Sequence, residues 1–141
     1  MKFIITGHGN FATGLTSSVK LITGLEKALM AVDFEESMSS EDLKEKLTKE
    51  IESDQEETVV IFTDIAGGTP FNQSVLLRNG NDNIEIVAGT NLPILVEAVL
   101  SPEKETDALL SKLVASGQNN IKRYEEQSNK KTQDTNGDEG I

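Results

Sequence analysis

A chain of 141 residues with 36% apolar content can bury one core of ordinary size and is read as one domain. Its formal net charge of -11 opposes binding to nucleic-acid phosphates, and the absence of cysteine excludes disulfides, thiolate metal sites and thiol nucleophiles. A single histidine cannot build a histidine-rich metal cluster within the chain, so no metal and no cofactor are expected.

Lys2 to Thr6 reads as a short apolar strand that breaks at Gly7-His8-Gly9. The run is too short for a signal peptide, and no later stretch approaches membrane-spanning length, so a cytoplasmic protein without direct membrane insertion is expected. From Asn10 a helix follows, with Phe11, Leu15, Val19 and Ile22 on one stripe. Ala28 to Phe34 is a second apolar run, and Leu43, Leu47 and Ile51 mark a second helix at four-residue spacing. Thr58 to Thr63 is a continuous β-branched run of the kind a strand covered on both faces requires, ending on Asp64. In Ala66-Gly67-Gly68-Thr69-Pro70, Thr69 is placed to cap the next helix and Pro70 to begin it. Ile84 to Ala88 is a fourth strand and Asn91 to Leu100 a helix. Ser101-Pro102 opens another, ending near Gly117.

Strands alternating with helices imply right-handed crossovers and an α/β, doubly wound, mainly parallel sheet in the flavodoxin-like order 2-1-3-4. Ile121 to Tyr124 reads as a C-terminal edge strand. Positions 1–124 then form the domain and 125–141 a flexible polar tail, with Ser128 to Ile141 offering almost nothing apolar to bury.

In open parallel sheets the ligand site lies beyond the carboxyl ends of the strands, where the strand order reverses. His8 closes the first strand and Asp64 the third, so this rule brings the only imidazole beside a carboxylate. The glycines flanking His8 are expected to keep the approach to its ring open, with the amides that start the two following helices pointing into the same space. Such an arrangement is an anion site containing a nucleophile. Each part has an ordinary reading when taken alone. A lone histidine in a turn is usually just solvated, Asp64 can cap a turn, Gly67-Gly68 can be a simple strand-to-helix turn, and Thr69 can be a helix cap.

Three other readings compete. Gly7-His8-Gly9-Asn10-Phe11-Ala12 matches a dinucleotide fingerprint, with Asp33 near the place of a ribose-binding acid, but the chain lacks room for a second half and an imidazole sits between the glycines. A response-regulator receiver would phosphorylate Asp64, yet needs an acidic pair for magnesium where this chain has Gly-His-Gly. A binding module that transfers no group would tolerate replacement of His8.

Phe62-Thr63-Asp64-Ile65-Ala66-Gly67-Gly68-Thr69-Pro70-Phe71-Asn72 closely resembles the signature of the mannose-type IIA family of the sugar phosphotransferase system. Ala88-Gly89-Thr90-Asn91-Leu92-Pro93-Ile94-Leu95-Val96-Glu97 resembles that family's fourth-strand turn. With Gly7-His8-Gly9 the likeness runs from Lys2 to Tyr124. It implies that His8 carries the phosphoryl group, that Asp64 orients it, and that Gly67, Gly68 and Thr69 with nearby amides cradle it. It also implies HPr as donor, a IIB component as acceptor, membrane IIC and IID components as indirect partners, and a homodimer in which Ile121 to Tyr124 crosses to the neighbouring sheet. The alternative within the resemblance is the phosphocarrier subunit of a dihydroxyacetone kinase, whose histidine turn usually departs from Gly-His-Gly.

Overall fold

The computed structural model describes residues 1–53 and 57–127. In chain order the elements are β1 (Lys2–His8), α1 (Phe11–Thr23), β2 (Met30–Phe34), α2 (Ser40–Glu52), β3 (Val59–Thr63), α3 (Thr69–Arg78), β4 (Ile84–Val87), α4 (Leu92–Leu100) and α5 (Thr106–Asn119). The sheet has four strands in the order β2-β1-β3-β4, all pairs parallel, as the alternation of strands and helices predicts.

Strand β3 is buried along its whole length, which is what its unbroken apolar run requires of a central strand. Alternation along the strands sends Ile5, Val60 and Phe62 to one face of the sheet, where α1, α4 and α5 cover them. Ile4, Val59, Ile61 and Ile84 go to the other face, against Leu43 and Leu47 of α2 and Leu77 of α3. His8 has the parity of Ile4 and Thr6, so its side chain leaves the sheet on the α2–α3 side. Helix α2, rich in Lys and Glu, begins with a reciprocal cap in which the Ser39 hydroxyl accepts from the Asp42 amide and the Asp42 carboxylate accepts from the Ser39 amide.

Three expectations shift by a few residues. Gly68, not Thr69, is the N-cap of α3: its backbone is extended (φ -78, ψ 172), so Thr69 is the first helical residue and Pro70 the second. Pro70 still costs nothing there, because the first-turn amides have no partner within the helix. Helix α5 starts at Thr106 rather than at Ser101-Pro102, because the Glu105 carboxylate accepts from the amides of Asp107 and Ala108 and sets the cap there. It also runs past Gly117 to Asn119. Gly117 is buried inside the helix because α4 lies against it: a Cβ at this position would overlap Cδ1 and Cγ1 of Ile94, and its carbonyl accepts from Asn91 Nδ2 at 3.0 Å.

Gly117→Ala is therefore expected to destabilise the fold. The helix-propensity gain of about 1 kcal/mol is outweighed by an overpacking cost of about 2–3 kcal/mol, and a thermal melt should show Tm lowered by several degrees.

The sheet does not include Ile121 to Tyr124. Over residues 121–127 the chain takes no regular structure and pairs with none of the described strands, and Ile121 and Tyr124 are 77% and 85% exposed. The polar segment from Ser128 to Ile141 lies outside the described residues.

Candidate functional site

His8 ends β1, and Asp64 immediately follows the neighbouring β3, so the parallel pairing of these strands delivers both to the carboxyl edge of the sheet at the point where strand order reverses. The same carboxylate oxygen, Asp64 Oδ2, lies 2.6 Å from His8 Nδ1 and accepts the His8 backbone N–H at 2.9 Å. Its other oxygen accepts the Ile65 amide at 2.8 Å. The Asp64 side chain is 11% exposed and that of His8 is 49% exposed, so the carboxylate is enclosed and the imidazole reaches solvent.

Burial pushes the Asp64 carboxyl upward, but the His8 amide, the His8 ring, the Ile65 amide and the nearby imidazole charge together bring it below the ordinary carboxylate value. An ionised carboxylate only accepts hydrogen bonds, so the short contact to Nδ1 requires the ring proton to be on that nitrogen. Nε2 then carries the free lone pair. Because Asp64 is more acidic folded than unfolded, its stabilising contribution is complete above the unfolded value of about 4 and is lost as pH falls through the lower folded value. Urea melts of wild type and Asp64→Asn between about pH 5 and pH 2 should converge as the pH falls.

On the Cε1 edge, the ring meets the start of α3. A Cβ built on Gly68 would stand 2.9 Å from His8 Cε1 and 3.2 Å from Ile65 Cγ1, so only glycine lets the backbone come this close. Cε1 is bonded to both ring nitrogens, so the imidazole edge that carries it faces the amino end of α3. That end has no side-chain cap and no acidic residue in its first turn, leaving its amides and positive dipole end to an anion.

Of the residues expected from sequence, His8, Asp64 and Gly68 are in contact. Gly67 takes a left-handed backbone (φ +87), and its carbonyl accepts from Asn72 Nδ2 at 3.1 Å, which braces the turn. Thr69 is half-buried at the head of α3, and its hydroxyl makes no hydrogen bond among the described residues.

One expectation is corrected. Gly7 does not open the approach to the imidazole: it is buried, and its missing Cβ makes room for the Phe11 ring, with Phe11 Cγ at 2.8 Å from where that Cβ would be. At the start of α1 the Thr13 amide is engaged, donating to Asp33 Oδ1 at 3.0 Å, and the Thr13 hydroxyl donates to Asp33 Oδ2 at 2.6 Å. Asp33, the would-be ribose acid, thus serves as an anchor between β2 and α1.

The sequence reading did not single out Phe34. Its ring lies 5.7 Å from the His8 ring, edge to face at 70°. The available signal was its position at the end of the strand that pairs with β1, directly opposite His8. Ile65, 57% exposed next to Asp64, forms part of the rim. A groove elsewhere, lined by Leu92, Val96 and Leu100 of α4 and by Pro102, contains neither His8 nor Asp64. Among the described residues, no three His, Asp or Glu side chains cluster as metal ligands would, and no helix is long and apolar enough to cross a membrane.

The fold and site define a doubly wound α/β protein with a carboxylate-held histidine at the switch point of its sheet. A model of the family described as "PTS system fructose IIA component" matches residues 2–131. The fructose-specific EIIA component of Bacillus subtilis is 37% identical over 144 residues, covering 99% of each chain. The sorbose-specific EIIA component of Lacticaseibacillus casei is 30% identical over 101 residues, 72% of this chain and 73% of that one. Among solved structures, an EIIA component from Streptococcus agalactiae superposes with a TM-score of 0.79 at 35% identity, covering 86% of this chain and 95% of that one. A mannose/sorbose-specific IIA subunit from Enterococcus faecalis shares the fold with a TM-score of 0.87 at 24% identity, covering 92% and 98%. The chain belongs to the mannose-type IIA family of the sugar phosphotransferase system.

Proposed function

We propose that this chain is a cytoplasmic phosphocarrier in which His8 Nε2 accepts a phosphoryl group from HPr and passes it to a IIB component. The observation that carries the reading is one imidazole with Asp64 at its Nδ1 and the uncapped start of α3 facing its Cε1 edge. As a P–N bond forms to Nε2, the P–N bond to the donor imidazole breaks and its electron pair stays with the donor nitrogen. Nδ1 keeps its proton throughout, and the Asp64 carboxylate balances the positive charge that the phosphorylated ring acquires. The step is balanced without a metal or a nucleotide, and positioning and charge stabilisation supply the catalysis.

The incoming group brings about two negative charges to a chain of net charge -11. Local donors must therefore outweigh the global charge: the α3 amides near Gly67 and Gly68, and the free Thr69 hydroxyl, are the groups in this reading that do so. The membrane IIC and IID components are partners only through IIB.

The test incubates the protein with phosphorylated HPr. The label should be lost quickly in acid, survive alkali, and discharge when a IIB component is added. A label lost in alkali would mean an acyl phosphate and would remove the proposal. Gly68→Ala should slow loading about tenfold with the fold intact, because the new Cβ displaces the ring while φ -78 suits alanine. Rapid-quench kinetics beside a thermal melt check both halves of that expectation.

We also propose a homodimer in which Ile121 to Tyr124 pairs with the partner's sheet. The exposure of both apolar side chains supports this, and a single-subunit mass in light scattering at micromolar concentration would contradict it.

A further inference from the structure

We infer that Phe34 is a positioning residue for His8, holding the plane of the imidazole while Asp64 holds one of its nitrogens. A hydrogen bond at Nδ1 sets one distance and leaves a coupled rocking of the two side-chain torsions, χ1 and χ2, by which the far edge of the ring can still move. Gly68 lies on the Cε1 side of the ring, close enough that a Cβ there would stand 2.9 Å from Cε1, and so limits that motion in one direction. The side chain is otherwise half-exposed, so a further contact is needed to fix where Nε2 points.

Phe34 supplies that contact at 5.7 Å between ring centroids and 70° between planes, within the range where an aromatic edge is attracted to an aromatic face. The contact is rigid because Phe34 is itself held from several sides. It pairs in register with His8, its carbonyl accepts from the Gly9 amide at 2.8 Å, and the preceding Asp33 is bound to Thr13 at 2.6 Å and 3.0 Å. Its side chain, partly buried, packs against the core cluster that contains Ile4, Val32, Leu43 and Leu47. Neither Asp64 nor the α3 amides can substitute for this, since they act at Nδ1 and at the phosphoryl group.

The consequence for rate rests on the phosphocarrier reading. The consequence for the ring does not. His8 is the only histidine, so its two ring nitrogens give unambiguous signals in a long-range 1H–15N spectrum. Phe34→Leu keeps the apolar bulk and should remain folded, but should replace the single fixed tautomer pattern with averaged imidazole signals. It should also lower the single-turnover rate of loading from phosphorylated HPr by about tenfold, with the donor concentration at half-saturation unchanged. Phe34→Tyr, which restores the ring, should recover both readouts to within about twofold.

A wild-type spectrum together with a wild-type rate in Phe34→Leu overturns the inference. So does a change confined to half-saturation, which would make Phe34 part of a docking surface, and so does a loss that Phe34→Tyr leaves in place. If the wild-type protein itself takes no label, the phosphocarrier reading fails, while the spectra of the three proteins still decide whether Phe34 orders the ring.

Discussion

His8→Ala is expected to take no detectable phosphoryl group from phosphorylated HPr, a loss of more than about 10³-fold, while keeping the wild-type melting temperature to within a few degrees. The two halves of this expectation have separate causes. Activity disappears because among the described residues no other nitrogen nucleophile stands at the start of α3, and the chain has no second histidine and no cysteine. Stability survives because the ring sits at the end of β1 and is half in solvent, so its removal opens no core cavity. Asp64 meanwhile keeps its bonds to the amides of His8 and Ile65. Quantitative labelling followed by an acid and alkali challenge checks the result, and full alkali-sensitive labelling of His8→Ala would transfer the chemistry to a carboxylate.

Asp64→Asn should retain the fold and slow phosphoryl transfer by about 10²-fold or more. The carboxamide has nearly the shape of the carboxylate but can present an N–H to Nδ1. That favours the opposite tautomer, with the proton on Nε2 and the lone pair turned away from the donor. It also removes the negative charge that balances the phosphorylated ring. Rapid-quench measurement of loading tests the rate, and the imidazole 15N pattern tests the cause. Unchanged transfer in this variant would take Asp64 out of the mechanism.

Much of this arrangement is legible in the order of residues because it depends on strand ends. The unbroken Thr58–Thr63 run marks a central strand, and the switch-point rule then pairs His8 with Asp64 without any knowledge of side-chain positions. What was not legible depends on local backbone angles or on which residues face one another. Whether Gly68 or Thr69 caps α3 turns on a single extended residue, and both are acceptable cap types. The start of α5 was misplaced because Ser101-Pro102 carries a strong start signal, whereas the cap is formed by a glutamate. Gly7 and Gly117 look like turn glycines, but each is needed where a bulky side chain, Phe11 or Ile94, comes too close for a Cβ. Phe34 becomes visible as a neighbour of His8 only when the register of β1 against β2 is known.

A single oxygen, Asp64 Oδ2, receives both the backbone N–H and the ring nitrogen of His8. Main chain and imidazole are thereby referenced to one atom, and with the Phe34 ring against the imidazole the torsions between them have little freedom left to lose if a phosphoryl group arrives. A relay has to run the same bond-making in both senses, taking the group from one protein and yielding it to another at the same nitrogen. By microscopic reversibility, a frame that needs no rearrangement on loading needs none on discharge, and neither direction is trapped by relaxation of the site around its cargo. On the proposed phosphocarrier reading, the direction of net flow is then left to the relative supply of charged donor and empty acceptor, with the site itself acting as a neutral passage between them.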